Sequence, residues 1–153
     1  MNDVTQLPFN HFLGLERNQP GSDRLLTLPA AAHFHNHVGT VHASALYSLA
    51  EASSGQFLVE NLTLASDSIV PLLRNGAIKY RKPAIGAVFS RGVHDPEAWN
   101  SFHETYARKR RAIVSFIIEL HTETEGLVAK AEFDWFIAER QDRKSEPDEG
   151  TRP

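Results

Sequence analysis

From Val41 to Glu60 the chain reads VHASALYSLAEASSGQFLVE, a long stretch without proline in which small and apolar residues fall on nearly every side of a helix. Such a helix is about 30 Å long. With so little polar surface to offer solvent it has to be buried, and the expected cover is a sheet wrapped around it. Thr40 is the expected N-cap. Strand signals lie on both sides of the helix. Arg24 to Leu28 follows the turn residues Gln19-Pro20-Gly21-Ser22. Ile69 to Leu73 and Ala77 to Arg81 read as one bent strand or two, and Gly86 to Val93 as another. Ala112 to Leu120 is almost continuously apolar, as for a strand covered on both faces. Leu127 to Ile137 alternates, with Ala129, Ala131, Phe133, Trp135 and Ile137 on one face and Lys130, Glu132 and Asp134 on the other. Glu123 to Gly126 joins these last two as a hairpin.

Two shorter helices complete the expectation. Leu7 to Leu15 carries Phe9, Phe12, Leu13 and Leu15 at helix-like spacing. Asp95-Pro96 resembles an N-cap with proline at the first helical position, followed by Trp99, Phe102 and Tyr106 on one stripe. The cations from Arg108 to Arg111 suit the end of that helix. The fold class is α+β, an antiparallel sheet wrapped around a long central helix, with a short N-terminal helix and a second helix near residues 95–110. A chain of 153 residues supports one core and not two, and the single domain is expected over residues 1–140. Gln141 to Pro153 is nearly all charged, Gly or Pro, and is expected to be a disordered tail.

Composition removes several functions. A net charge of −3 argues against nucleic acid as the main partner. The absence of cysteine excludes a disulfide framework and a thiol nucleophile, and fits a reducing compartment. No segment approaches the roughly 20 apolar residues of a membrane span. Met1 to Glu16 has neither a basic start nor a long apolar run, so no signal peptide is expected and cytoplasm is the default. No Gly-x-Ser-x-Gly elbow, phosphate loop or dinucleotide fingerprint is present.

Chemistry concentrates on the central helix. Glu51 lies between Leu49-Ala50 and Ala52, where a carboxylate is costly unless it is paired or functional, and burial raises its pKa toward general-base range. The competing reading is a structural carboxylate bonded to Ser48 or to buried backbone. Ser44, Ser48, Glu51 and Gly55 share one small, polar stripe. At the helix start the amides of Val41, His42, Ala43 and Ser44 lack intrahelical acceptors, and together they suit an oxyanion. Ser44 and Glu51 are about 10 Å apart along the axis. One helix does not easily bring both to a single carbonyl, so a twofold homodimer with shared sites is inferred, alone or as a dimer of dimers.

The run HNHVGTVHASALYSLAEASSG resembles the signature of hotdog-fold thioesterases of the phenylacetate-pathway (PaaI-like) kind. That pattern has an Asn, a Gly three residues on, His-Gly-Gly at the helix start and an acid nine residues after the His. Asn36, Gly39, His42 and Glu51 occupy those places, and IKYRKPAIGAV, Ile78 to Val88, resembles the strand and turn that follow. The resemblance covers roughly Leu7 to Arg140. It implies a hotdog fold and hydrolysis of an acyl-CoA thioester, with coenzyme A entering only as part of the substrate and no other cofactor. Glu51 would be general base or nucleophile, and the Ala43 amide would polarise the carbonyl. Asn36 would orient water or substrate, while His42 would hold the loop and thioester. His-Ala-Ser replaces His-Gly-Gly here, and the added Cβ atoms at Ala43 and Ser44 narrow the approach. Hotdog dehydratases pair a His and an acid at other spacings. A non-catalytic acyl-CoA binder or regulator is the alternative from another class.

Lys79, Arg81 and Lys82 could meet coenzyme A phosphates, with Lys79 and Arg81 on one strand face, or form only a solvated surface. His33, His35, His37 and His42 lack the companion ligands of a metal site, so no metal is expected.

Overall fold

The computed structural model describes residues 3–65 and 67–140. The tail Gln141 to Pro153 lies outside the described residues. Six strands form one antiparallel sheet: β1 (Glu16–Arg17), β2 (Leu26–Leu28), β3 (Ile69–Tyr80), β4 (Val88–Val93), β5 (Arg111–Thr122) and β6 (Gly126–Glu139). Their order across the sheet is β1-β2-β4-β5-β6-β3. The helices are α1 (Pro8–Phe12), α2 (Ala43–Asn61) and α3 (Pro96–Lys109). The sheet curls around α2, as the hotdog resemblance implies.

Burial of α2 follows from its composition. Leu46, Leu49, Ala50, Phe57 and Leu58 sink into the sheet's inner face, against Leu26, Val88, Ile118, Phe133 and their neighbours. Its buried hydroxyls are satisfied within the core. Ser53 Oγ donates to the Leu49 carbonyl (2.6 Å) and lies 2.7 Å from Ser90 Oγ of β4, which accepts the Leu26 amide at 3.1 Å. Close approach also decides one backbone position. A Cβ at Gly92 of β4 would run into the Phe57 ring, so only glycine lets helix and strand meet there.

The N-cap of α2 is His42, not Thr40. Thr40 is drawn instead into the preceding loop, where its backbone and hydroxyl both bond to Asn36. Helix α3 starts where the sequence indicates. Asp95 accepts the amides of Glu97 (3.0 Å) and Ala98 (3.2 Å), and Pro96 stands at N1. Trp99 packs on Phe57 of α2 and stacks on Phe116 of β5, joining the two helices through the sheet. Arg110 turns the chain into β5 in the left-handed region, φ 55°.

Two expectations change, and one that was left open is decided. Strand β5 alternates instead of being covered on both faces: Val114, Phe116 and Ile118 are buried, while Ile113 is 56% exposed on the outer face. The segments around Ile69 and Arg81 form one strand, with Arg74 bulged out between Leu73 and Asn75. Helix α1 is barely more than one turn, and Phe9 and Phe12 point outward, 60% and 82% exposed.

Candidate active site

The loop from Asn36 to Thr40 is tied by Asn36 itself. Its Oδ1 accepts the amides of Val38 (3.0 Å) and Thr40 (3.1 Å), its Nδ2 donates to Thr40 Oγ1 (2.9 Å), and its own amide donates to the Thr40 carbonyl (2.8 Å). This is an Asx-type turn closed on itself. Gly39, at φ 80°, supplies the one left-handed residue the turn requires. The side chain expected to meet water or substrate is thus spent largely on shaping the loop that leads into α2.

Three of the four amides at the helix start are occupied. Val41 donates to the Ala84 carbonyl (2.9 Å), His42 to the Phe34 carbonyl (2.7 Å), and Ser44 to His42 Nδ1 (3.1 Å). The Ala43 N–H has no acceptor among the described residues, and Ala43 is exposed. One donor at the positive end of a long helix dipole therefore remains open to an oxygen from outside. His42 contributes as a cap, its Nδ1 accepting from the Ser44 amide.

Glu51 lies two turns further along α2, half-buried. Burial raises its pKa above the ordinary glutamate value. Its carboxylate has no hydrogen-bond or ion-pair partner among the described residues. Ser48 does not supply one, because its hydroxyl bonds to the Ser44 carbonyl (2.9 Å). The stripe from Ser44 through Ser48 and Glu51 to Gly55 is the side of α2 that the sheet leaves partly open.

Two cavities flank the helix start. One of about 290 Å³ is lined by Asn36, Thr40, Ala43, Tyr80, Arg81 and Lys82 among others. The other, about 240 Å³, lies between α1 and α2 and includes Phe9, Phe34, His42, Ser44 and Ser48. Glu51 lines neither, and Lys79 faces the outer side of the sheet, away from both. Lys82 is held to the Glu125 carbonyl at 2.9 Å. Tyr80 also lines the cavity beside Ala43, and sequence reasoning missed it. Its hydroxyl donates to the Ala43 carbonyl (2.9 Å), and its pKa is raised by burial and by the neighbouring Tyr47. Strand alternation held the signal, since a residue between Lys79 and Arg81 must face the helix. Among the described residues no three His, Asp or Glu side chains gather as metal ligands. No helix there is long and apolar enough to cross a membrane.

No curated protein matches the sequence. Solved structures do resemble the fold. A Pseudomonas aeruginosa protein of unknown function, described as a probable thioesterase, is 22% identical with a TM-score of 0.75, over 90% of this chain and 91% of that one. A Staphylococcus aureus thioesterase, solved as a mutant, is 11% identical with a TM-score of 0.62, over 85% of this chain and 98% of that one. A Bacillus halodurans protein solved with CoA is 17% identical with a TM-score of 0.63, over 84% of this chain and 74% of that one. At these identities the likeness is one of fold. The family model described as a domain of unknown function, DUF4442, matches residues 17–137, from β1 into β6. That match spans well over half of the chain, which therefore belongs to the DUF4442 family.

Proposed function

We propose that the chain hydrolyses an acyl-CoA thioester to the free acid and CoA. The observation that carries this reading is the presence on one helix of an unoccupied N-terminal amide at Ala43 and an unpartnered, half-buried carboxylate at Glu51. Glu51 takes a proton from water as the water oxygen bonds to the acyl carbon. The Ala43 N–H holds the oxyanion that forms. The C–S bond then breaks, the carbonyl is restored, and sulfur leaves as thiolate, which takes up the proton that Glu51 accepted and so regenerates the carboxylate. His42 caps the helix that presents the amide, and Asn36 and Gly39 shape the loop before it. Ser44 and Ser48 line the wall along which the acyl group lies, with Arg81 and Lys82 at the mouth beside Tyr80. The scheme needs no metal or bound cofactor. CoA as the carrier is supported by the fold relative solved with CoA.

Ala43 and Glu51 are about 12 Å apart along the axis of α2, too far to reach one carbonyl from the same helix. The active form is a homodimer in which the amide of one copy faces Glu51 of the other. Exposed apolar side chains near the helix start, Phe9, Phe12, Val38, Tyr80 and Ile85, support a covered surface there. So does the free edge of β3, which pairs with β6 on one side only.

The test is thiol release from short, long and aromatic acyl-CoAs, with Glu51→Gln beside the wild type. Loss of at least about 100-fold in turnover is expected for the variant. Acyl-CoA that binds but is never hydrolysed by the wild type would overturn the catalytic reading and leave a binding protein.

A further inference from the structure

The outer face of the sheet carries a second depression, of about 260 Å³, on the side opposite α2. Its lining includes Lys79, Arg81, Lys130 and Glu132, with Ala77 and Ile117 as an apolar floor. Three cations and one carboxylate surround it in a chain whose net charge is −3. Two of the cations are register partners: Lys79 of β3 stands directly opposite Lys130 of β6. Like charges so placed repel across an antiparallel pair and destabilise it. Lys130 finds only a loose partner in Glu119, 3.6 Å away, and Lys79 has no ion pair among the described residues. A chain that keeps this arrangement gains from an anion placed between the two.

Arg81 lines both this depression and the cavity beside Ala43, so the two meet at the end of β3. The volume falls below the roughly 300–1,000 Å³ of a site for a whole drug-sized ligand, so it suits one end of a longer molecule. We propose that the depression formed by Lys79, Lys130 and Arg81 binds phosphate groups of the ligand whose acyl end reaches Ala43, the ligand crossing from the inner to the outer face past the end of β3. The identity of that ligand as a nucleotide-bearing thioester rests on the proposed hydrolysis; the anion site rests on the charges and the register. Within this site Lys130 contacts phosphate although it is remote from the central helix, and Glu132 opposes binding.

Two probes separate the claims. Calorimetry with adenosine 3′,5′-bisphosphate and with inorganic pyrophosphate measures the anion site alone. The double variant K79Q/K130Q is expected to weaken binding of the bisphosphate at least ten-fold and to flatten its salt dependence. Glu132→Gln is expected to tighten it, an opposite change that damage to the fold would not produce. In turnover, the KM for an acyl-CoA rises in the double variant with little change in kcat, while the KM for the matching acyl-pantetheine, which lacks the nucleotide, does not follow. Wild-type affinity for both anions in the double variant overturns the site. So does failure of the wild type to bind either anion while it hydrolyses acyl-CoA. If no thioester is hydrolysed but the charge variants still move bisphosphate binding in opposite directions, the anion site stands and the hydrolytic reading falls. Absence of both binding and turnover overturns the two together.

Discussion

Glu51 sits on a buried helix with its carboxylate half-covered and unpartnered, so folding disfavours its charged form. Its folded pKa lies above its unfolded one. Between those two values, as pH rises, the unfolded chain gives up the proton first and stability falls; above the folded value the penalty is fully present. Glu51→Gln removes the charge, so its Tm should exceed that of the wild type at neutral pH, and the gap should close below the ordinary carboxylate range in thermal melts across pH. The same shift places the acid limb of kcat/KM above the ordinary glutamate range. Ala43 permits a cleaner test, because it is the first residue of α2 and His42 before it is already extended, φ −63° and ψ 140°. Proline fits such a position and removes only the N–H. Ala43→Pro should leave stability near wild type while lowering kcat by about 100- to 1,000-fold. The half-buried setting of Glu51 was legible in the sequence, because it stands among the apolar residues of a helix with Leu49-Ala50 before it and Ala52 after it. The self-closed loop of Asn36 was not, since its bonds depend on how residues 36–40 fold back on one another.

Among the elements, α2, α3 and the β5–β6 hairpin were readable from the chain alone. Each announces itself locally: an apolar helix without proline, an Asp-Pro cap before an aromatic stripe, and an apolar run and an alternating one on either side of a glycine turn. Strand β1, only two residues long, carries no periodicity to detect. The outer face of β5 was misjudged because Ile113 and Ile117 are apolar yet lie opposite the helix, and hydrophobicity alone does not tell an unburied face from a buried one. Packing between elements was equally invisible, as Gly92 shows. Gly92→Ala pushes a methyl group into the Phe57 ring, itself wedged against Trp99 and Phe116. Such overpacking should cost about 1–3 kcal/mol in a denaturant titration, with the site residues untouched.

At the scale of the whole molecule, the proposed mechanism and the distance between Ala43 and Glu51 together make activity a property of the pair of chains. Complementation exposes this directly. In a dimer refolded from equal amounts of Glu51→Gln and Ala43→Pro chains, half the assemblies are mixed, and each mixed dimer has one site with both groups intact. Activity should return to about a quarter of wild type. If both groups acted within one chain, no mixed site would be whole and nothing would return. The bulge at Arg74 has a consequence on this scale too. Side chains in a strand alternate with a period of two, so one extra residue inverts the phase of everything after it. Before the bulge, Ile69 and Leu73 face the helix; after it, Gly76, Ile78 and Tyr80 do, and Lys79 is sent to the far side. A single uncounted residue thus works as a frameshift written in space. Ironing the bulge flat while keeping the residue would swap the audience of every later side chain, turning tyrosine out to water and the lysine in toward the core, whereas excising Arg74 together with its bulge would leave each facing as it does now.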